Sequence, residues 1–383
     1  MKTFCEYFDQ STCKSCKLLA VPYPDQLKRK ENIIRNALSL SSNELMPSVP
    51  SKLQGFRNKV KISVGISNGE ITFGLKDLEG KSQDLSNCPV QHPEINRMFP
   101  VIADFIKIAK LSIYDPKTMK GELKNLIIYF NSESQESYLR LVLRSKEAVT
   151  RIQKHLKSVM DQISHLKVVA VNIQPSPHPI LEGEEEIILT TQTHLNQKLG
   201  PVEYSLSTQG FVQTNLDVSQ KLYQTAASWV KELEKKKFLE LFSGQGAFSF
   251  FVAPHVEKSL GCEINESATI SANLSAKALH LDHLYFKCLD AKDIKQELEE
   301  FKPDILLANP PRRGLGESIE LINNSGCDYF IYSSCNYESL IEDIGVLTNY
   351  KVIRAQIFDM FAHTEHFETL VLLEKSVVEL SQA

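Results

Sequence analysis

The chain has 383 residues, 42% hydrophobic and 23% charged, with 16 glycines and 16 prolines. That length suits two or three domains, and that composition excludes collagen-like, low-complexity and globally disordered chains. Lys and Arg total 43 against 47 Asp and Glu, a net charge of -4, so no whole-molecule field draws in a polyanion and any nucleic-acid site must be a local patch. No apolar run approaches the ~20 residues of a membrane span, and the opening Met1-Lys2-Thr3-Phe4-Cys5-Glu6 holds no apolar export core, so a cytoplasmic protein is expected.

Eight cysteines in such a chain point to metal or catalysis rather than to a disulfide scaffold. Cys5, Cys13 and Cys16 form a C-x7-C-x2-C run, the next cysteine is Cys88, and the four make a candidate ligand set. Four thiolates satisfy either a tetrahedral zinc or a [4Fe-4S] cube, and spacing alone does not choose between them. The competing reading, incidental thiols beside a redox C-x-x-C, lacks the βαβ context that such a motif needs. A basic amphipathic stretch from Gln26 to Leu38, with Lys28, Arg29 and Lys30, leads into a Ser/Pro-rich connector over residues 39–51.

Residues 56–88 alternate apolar and polar positions, with turns at Asn68-Gly69 and Glu79-Gly80, and predict a β-meander. Arg57, Lys59 and Lys61 share one face of its leading strand, where they can hold phosphates or simply face water. A helix over 92–110, strands over 121–130 and 138–144, a helix over 146–163 and strands over 166–174 and 186–190 make this half α+β. From Lys237 onward, strand and helix alternate, which predicts a mainly parallel sheet.

The strand from Lys237 to Phe242 runs into Ser243-Gly244-Gln245-Gly246 and a helix over 247–253. Strand, glycine loop and helix form a nucleotide pocket, and Glu263 at the end of the next strand can receive ribose hydroxyls. Ser249 stands where a dinucleotide fingerprint needs its third glycine. Asp290 closes a third strand, where it can meet an adenine amino group, and Asn309-Pro310-Pro311 closes a fourth with a stiff turn. This arrangement resembles the S-adenosylmethionine-dependent methyltransferases with a seven-stranded sheet.

The strand Tyr329–Tyr332 delivers Cys335 to the same sheet edge, and the stretch from Asp359 to Glu368 brings further acids and imidazoles. Methylating C5 of uracil needs such a set: a thiolate adds to C6, the resulting enolate attacks the methylsulfonium, and a base then removes the C5 proton so that the thiolate leaves. Cys335 is the expected nucleophile and Glu368 the expected base, with Glu365 its first substitute. Arg312 or nearby backbone donors would offset enolate charge. A buried core thiol is the plainer reading of Cys335.

Phe211-Val212-Gln213-Thr214-Asn215, Leu241 to Gly246, Asn309 to Gly314, Tyr332 to Asn336 and His366-Phe367-Glu368 together resemble the motifs of the RNA uracil-5-methyltransferase family. That resemblance implies an α/β protein with a C-terminal Rossmann-like, seven-stranded S-adenosylmethionine methyltransferase domain over 201–383. It further implies an iron-sulfur segment over 1–50, whose cluster Cys88 completes, and an α+β RNA-binding domain over 51–200 that includes Gln54-Gly55-Phe56-Arg57-Asn58-Lys59. Cys5, Cys13, Cys16 and Cys88 match the ligands of a [4Fe-4S] cluster. Gln213, Phe242, Glu263 and Asn309 match S-adenosylmethionine contacts, with Gly244 and Asp290 beside them. Ser243 stands where family members often carry cysteine. A first cysteine at residue 5 leaves no room for a TRAM β-barrel, and cluster without barrel resembles the branch that acts on 23S ribosomal RNA.

A single-stranded loop would offer a flipped uridine stacked on Phe211 or Phe361, with Arg57, Lys59 and Lys61 and the basic stretch at Lys28 holding phosphates. Neither a membrane nor an obligate protein partner is expected. A tRNA-directed enzyme and a non-catalytic iron-sulfur or zinc RNA-binding protein are the alternatives, and a nicotinamide oxidoreductase is a remote third.

Overall fold

A computed structural model of the protein describes residues 2–76, 82–176 and 182–376. The chain opens with one helical turn, α1 (Glu6–Asp9), and a longer helix, α2 (Tyr23–Ala37). Proline at the start of α2 suits a first turn whose N–H groups have no intrahelical partner. Packing gathers the chain into two compact units, Met1–Ser15 with Lys52–Leu216 and Cys16–Ser51 with Asp217–Ala383. The sequence suggests segments 1–50, 51–200 and 201–383, but residues 16–51 fold into the C-terminal unit, because Ile34, Leu40 and Leu45 are buried in the same core as Leu239, Phe330 and Val371.

The first unit carries β1 (Lys59–Ser67), β2 (Glu70–Lys76), β3 (Ser82–Asp84), β4 (Leu123–Asn131), β5 (Glu136–Leu143), β6 (Leu166–Ile173) and β7 (Glu185–Ile188), with helices α3 (Pro93–Ile108) and α4 (Val149–Met160). Its sheet runs β3-β2-β1-β4-β5-β6-β7. The β1–β2 hairpin turns at Asn68-Gly69, both with positive φ, as a two-residue turn of this twist requires. The other expected turn, Glu79-Gly80, lies outside the described residues. β5 and β6 are parallel and α4 is their crossover, while α3 and α4 bury Ile95, Phe99, Ile102, Ile152 and Val159 in one core with the sheet. A further hairpin, β8 (His194–Leu199) and β9 (Val202–Ser207), follows.

Helix α5 (Leu216–Glu232) leads into the second unit. There, β10 (Lys237–Leu241), α6 (Ala247–Val252), β11 (Lys258–Glu263), α7 (Glu266–Ala278), β12 (Leu284–Cys288), α8 (Lys295–Phe301), β13 (Ile305–Ala308), α9 (Ile319–Asn323), β14 (Tyr329–Ser334) and α10 (Tyr337–Val346) alternate, and β15 (Tyr350–Phe358) and β16 (Glu368–Lys375) close the sheet. The order is β12-β11-β10-β13-β14-β16-β15, parallel except for β16, which is antiparallel to both neighbours. The order reverses between β10 and β13, so their carboxyl ends open the crevice where doubly wound sheets bind ligands. The connector over 39–51, which reads as a loop, instead covers the edge of β15. Met46 and Val49 amides donate to the carbonyls of Ala355 and Ile357 at 2.8 Å each, which pairs an edge that would otherwise be open.

Candidate active site

The glycine loop caps β10. Phe242, Gly244 and Gly246 all have positive φ, and the ring of Phe286 lies where a Cβ on Gly246 would be, at 2.4 Å, so that position admits only glycine. A Cβ on Gly244 would meet nothing within 4 Å, so the loop is open to a ligand there. Ser243 Oγ is buried with no hydrogen-bond partner among the described residues. Glu263, at the end of β11, accepts from the amides of Gly244 and Asn265 at 2.9 Å each, which ties it to the loop. Asp290, beyond β12, accepts from the Lys292 amide at 3.2 Å, and Asn309, beyond β13, donates its amide to Leu241 at 3.4 Å. The second unit thus brings Phe242, Gly244, Glu263, Asp290 and Asn309 to one set of strand ends, with an open loop and an orphaned hydroxyl that fit a nucleoside ligand. Gln213 is buried at the end of the first unit.

The sequence offers no reason for Ser249 in place of the third glycine; the structure does. Its amide and hydroxyl both donate to Glu240, a fully buried carboxyl on β10 that burial pushes up to about 8.

Cys335 and Glu368 meet because β14 and β16 are antiparallel neighbours. Ser334 pairs with Thr369, so the residue leaving one strand stands beside the residue entering the other. The half-exposed Cys335 thiol is raised from its ordinary value by burial first and by the Glu368 carboxylate second, and the Arg312 guanidinium opposes both. Glu368 is fully buried, and burial pushes it up to about 7. Its Oε1 accepts from the Ser333 hydroxyl at 2.7 Å, while its Oε2 is buried with no partner among the described residues. One oxygen is anchored and the other is left to take a proton.

Arg312 projects from a turn that Gly314 closes onto Pro311 at 2.9 Å, and Asn336 Nδ2 donates to its carbonyl at 3.0 Å. Arg312 Nη2 donates to His366 Nδ1 at 3.0 Å, and a guanidinium only donates, so that ring nitrogen carries no proton. Burial and Arg312 keep the His366 imidazole below its ordinary pKa. Glu365 is exposed and pairs with Lys17 at 3.0 Å. Phe361 is half-buried, edge-on to His366.

Lys30 corrects the sequence reading. It is 1% exposed and paired with the 0% exposed Asp359 at 2.6 Å, so it is unavailable to phosphate, whereas Lys28 and Arg29 are exposed. Nothing in a run of three cations singles out the one that is buried, because its partner lies more than three hundred residues away in sequence.

In the first unit, Lys59 is half-buried, donates to the Gly210 carbonyl at 3.3 Å, and is lowered to about 7 by burial and by Lys61. Lys61 pairs with Glu182, which also pairs with the buried Arg140. Arg57 is half-buried, with its Nε unpartnered among the described residues. Phe211 is 62% exposed. The Cys88 thiol is raised by burial, and the nearby Cys5 and Cys13 thiols add to that; Cys16 belongs to the second unit. Among the described residues no three His, Cys, Asp or Glu side chains are arranged to hold a metal ion, so the expected quartet is not an assembled ligand set as it stands.

The chain is 38% identical over 375 residues to a 23S rRNA (uracil(747)-C(5))-methyltransferase RlmC of Shewanella amazonensis, covering 97% of each chain. It is 36% identical to the enzyme of that name from Glaesserella parasuis, over 98% of this chain and 100% of the relative. Its fold matches the crystal structure of the Pyrococcus abyssi tRNA (uracil-54, C5)-methyltransferase in complex with S-adenosyl-L-homocysteine, with a TM-score of 0.77 and 22% identity over 94% of this chain and 85% of that one. The second unit is therefore the S-adenosylmethionine methyltransferase fold that its strand order describes. Residues 23–376 match the family model described as tRNA (uracil-5-)-methyltransferase, and the chain belongs to that family.

Proposed function

We propose that this protein methylates C5 of a uridine in 23S ribosomal RNA, uridine 747 or its equivalent, with S-adenosylmethionine as methyl donor. The observation that carries the chemistry is the Oε2 of a buried carboxyl, Glu368, unpartnered among the described residues and beside a half-exposed thiol, Cys335. The choice of ribosomal RNA rests on the relatives, which are named for it over nearly their whole length.

The Cys335 thiolate, with Arg312 opposing the cost of its charge, forms an Sγ–C6 bond, and the C5–C6 π electrons pass to C5 and O4. S-adenosylmethionine, when bound, would supply the methyl group that C5 takes, its S–CH3 bond giving way to leave S-adenosylhomocysteine. Glu368 Oε2 then removes the C5 proton, the C5–C6 double bond re-forms, and Cys335 leaves as thiolate. Nothing is oxidised or reduced. Phe242, Gly244, Glu263, Asp290 and Asn309 would hold the donor. A uridine flipped from a single-stranded loop would stack on Phe211 or Phe361, with Arg57, Lys59 and Lys61 at the flanking phosphates.

Transfer of label from S-adenosylmethionine to a 23S rRNA transcript, with a tRNA transcript as the exchange, tests both class and substrate. Label on the ribosomal transcript, mapped to one 5-methyluridine, is expected. Label on tRNA alone would reassign the substrate, and none on either would leave an RNA-binding protein.

We also propose that Cys5, Cys13, Cys16 and Cys88 take up a [4Fe-4S] cluster. Support comes from their spacing and from the nearness of three of the thiols. No methylation step passes through it. Iron and sulfide analysis of anaerobically purified protein, against the Cys88→Ser variant, tests the assignment; zinc in place of iron would overturn it.

A further inference from the structure

Helix α2 carries a polar face that the reaction as described does not use. Tyr23, Gln26 and Lys30 follow one another at helical spacing on the face that Ile34 extends into the core. All three reach the segment between β15 and β16. Lys30 Nζ bonds Asp359 Oδ1 at 2.6 Å and the His366 carbonyl at 3.1 Å, and the Tyr23 hydroxyl donates to Asp359 Oδ2 at 2.7 Å. Gln26 Oε1 accepts from the amide of His363 at 3.1 Å, and the Leu18 amide donates to the His363 carbonyl at 2.9 Å.

His363 has a φ of +67, a conformation disfavoured for a residue with a side chain and held only where the surroundings over-determine it. Val49 adds a further tie, accepting from the Asp359 amide at 2.9 Å. Burial lowers the Lys30 ammonium from its ordinary value and Asp359 opposes that shift, so the pair holds only as a pair. Folding stability alone does not call for a buried ion pair, which apolar residues often replace without loss. This one instead grips both ends of the stretch that aims His366 at Arg312 and delivers Glu368 to Cys335.

We infer that Lys30 and Asp359, with Tyr23 and Gln26, are positioning residues that hold Glu368 Oε2 at the C5 proton, so that helix α2 sets the rate of the elimination step. This rests on the reading of Glu368 as the base.

The test measures, for each variant, methylated covalent protein–RNA adduct against released product, together with donor affinity and melting temperature. Lys30→Met should slow product release roughly tenfold or more while the adduct accumulates and donor affinity stays within about twofold. The Lys30→Met/Asp359→Leu double variant removes the stranded charge and should melt close to the wild type, yet still accumulate adduct. A double variant that folds and releases product at the wild-type rate would reduce the pair to a structural role. Glu368→Gln runs in parallel: if it accumulates adduct and the Lys30 variants do not, the clamp is wrong and the base stands. If Glu368→Gln releases product normally, the base assignment falls and the clamp falls with it.

Discussion

At the scale of the residue, the proposed reaction gives Cys335 and Glu368 different tasks, and their surroundings differ to match. Cys335 is raised by burial and by Glu368, and Arg312 pulls the other way. Cys335→Ala should therefore lower methyl transfer by about 10³-fold or more with unchanged donor binding, measured by label transfer and calorimetry. Glu368 near 7 makes a second, pH-dependent prediction. A base acts when unprotonated, so product release should rise about tenfold per pH unit below 7 and level off above it. Single-turnover quench experiments would show this, and Glu368→Gln should erase the inflection while it traps protein on RNA. A release rate flat from pH 5.5 to 8 would remove Glu368 from the base role.

At the scale of the element, the β10–α6 junction is held by a carboxyl that burial keeps neutral. Glu240 sits near 8 in the folded protein against an ordinary carboxyl value of 4.5, and Ser249 from α6 donates to it twice. A raised folded-state pKa contributes stability that is fully present below about 4.5 and is lost as pH rises through about 8. Glu240→Gln keeps an acceptor for Ser249 and removes that titration. It should raise the melting temperature at pH 9 by several degrees, at roughly 2–4 °C per kcal/mol, and leave it nearly unchanged at pH 5. Equal melting shifts at both pH values would mean that the carboxyl is ionised throughout.

At the scale of the whole molecule, a net charge of -4 leaves RNA binding to a local surface. Lys61 is paired with Glu182, and Lys59 is lowered to about 7, so the charge of Lys59 changes in the neutral range. Lys59→Ala should lessen the slope of log K against log salt by about 0.7 for single-stranded RNA, and more clearly at pH 6 than at pH 8. Salt titrations of binding at both pH values check this; an unchanged slope at pH 6 would take the strand out of the interface.

Much of this was legible in the chain because local chemistry carries it. Alternation predicts β1 and β2, the Asn68-Gly69 turn follows from two residues that tolerate positive φ, and the strand, glycine loop and acid of the second unit are contiguous motifs that need no partner to be recognised. β15 is harder to read because a bulge between Val352 and Arg354 breaks its period of two, and in the β8–β9 hairpin the polar Gln197 holds a buried position between Leu195 and Leu199, which interrupts the apolar alternation of β8. Chemical type, likewise, is a property of the residues themselves: a thiol, a carboxyl and an open glycine loop. What only the tertiary structure decided is which charges are buried, and with what. The pairing of Ser334 with Thr369 sets Cys335 beside Glu368, Ser249 finds Glu240, and Lys30 leaves a basic run for Asp359. A carboxyl near 7 or a lysine bound inside a core is a statement about desolvation and neighbours, and those are brought from distant stretches of chain by the packing of whole elements.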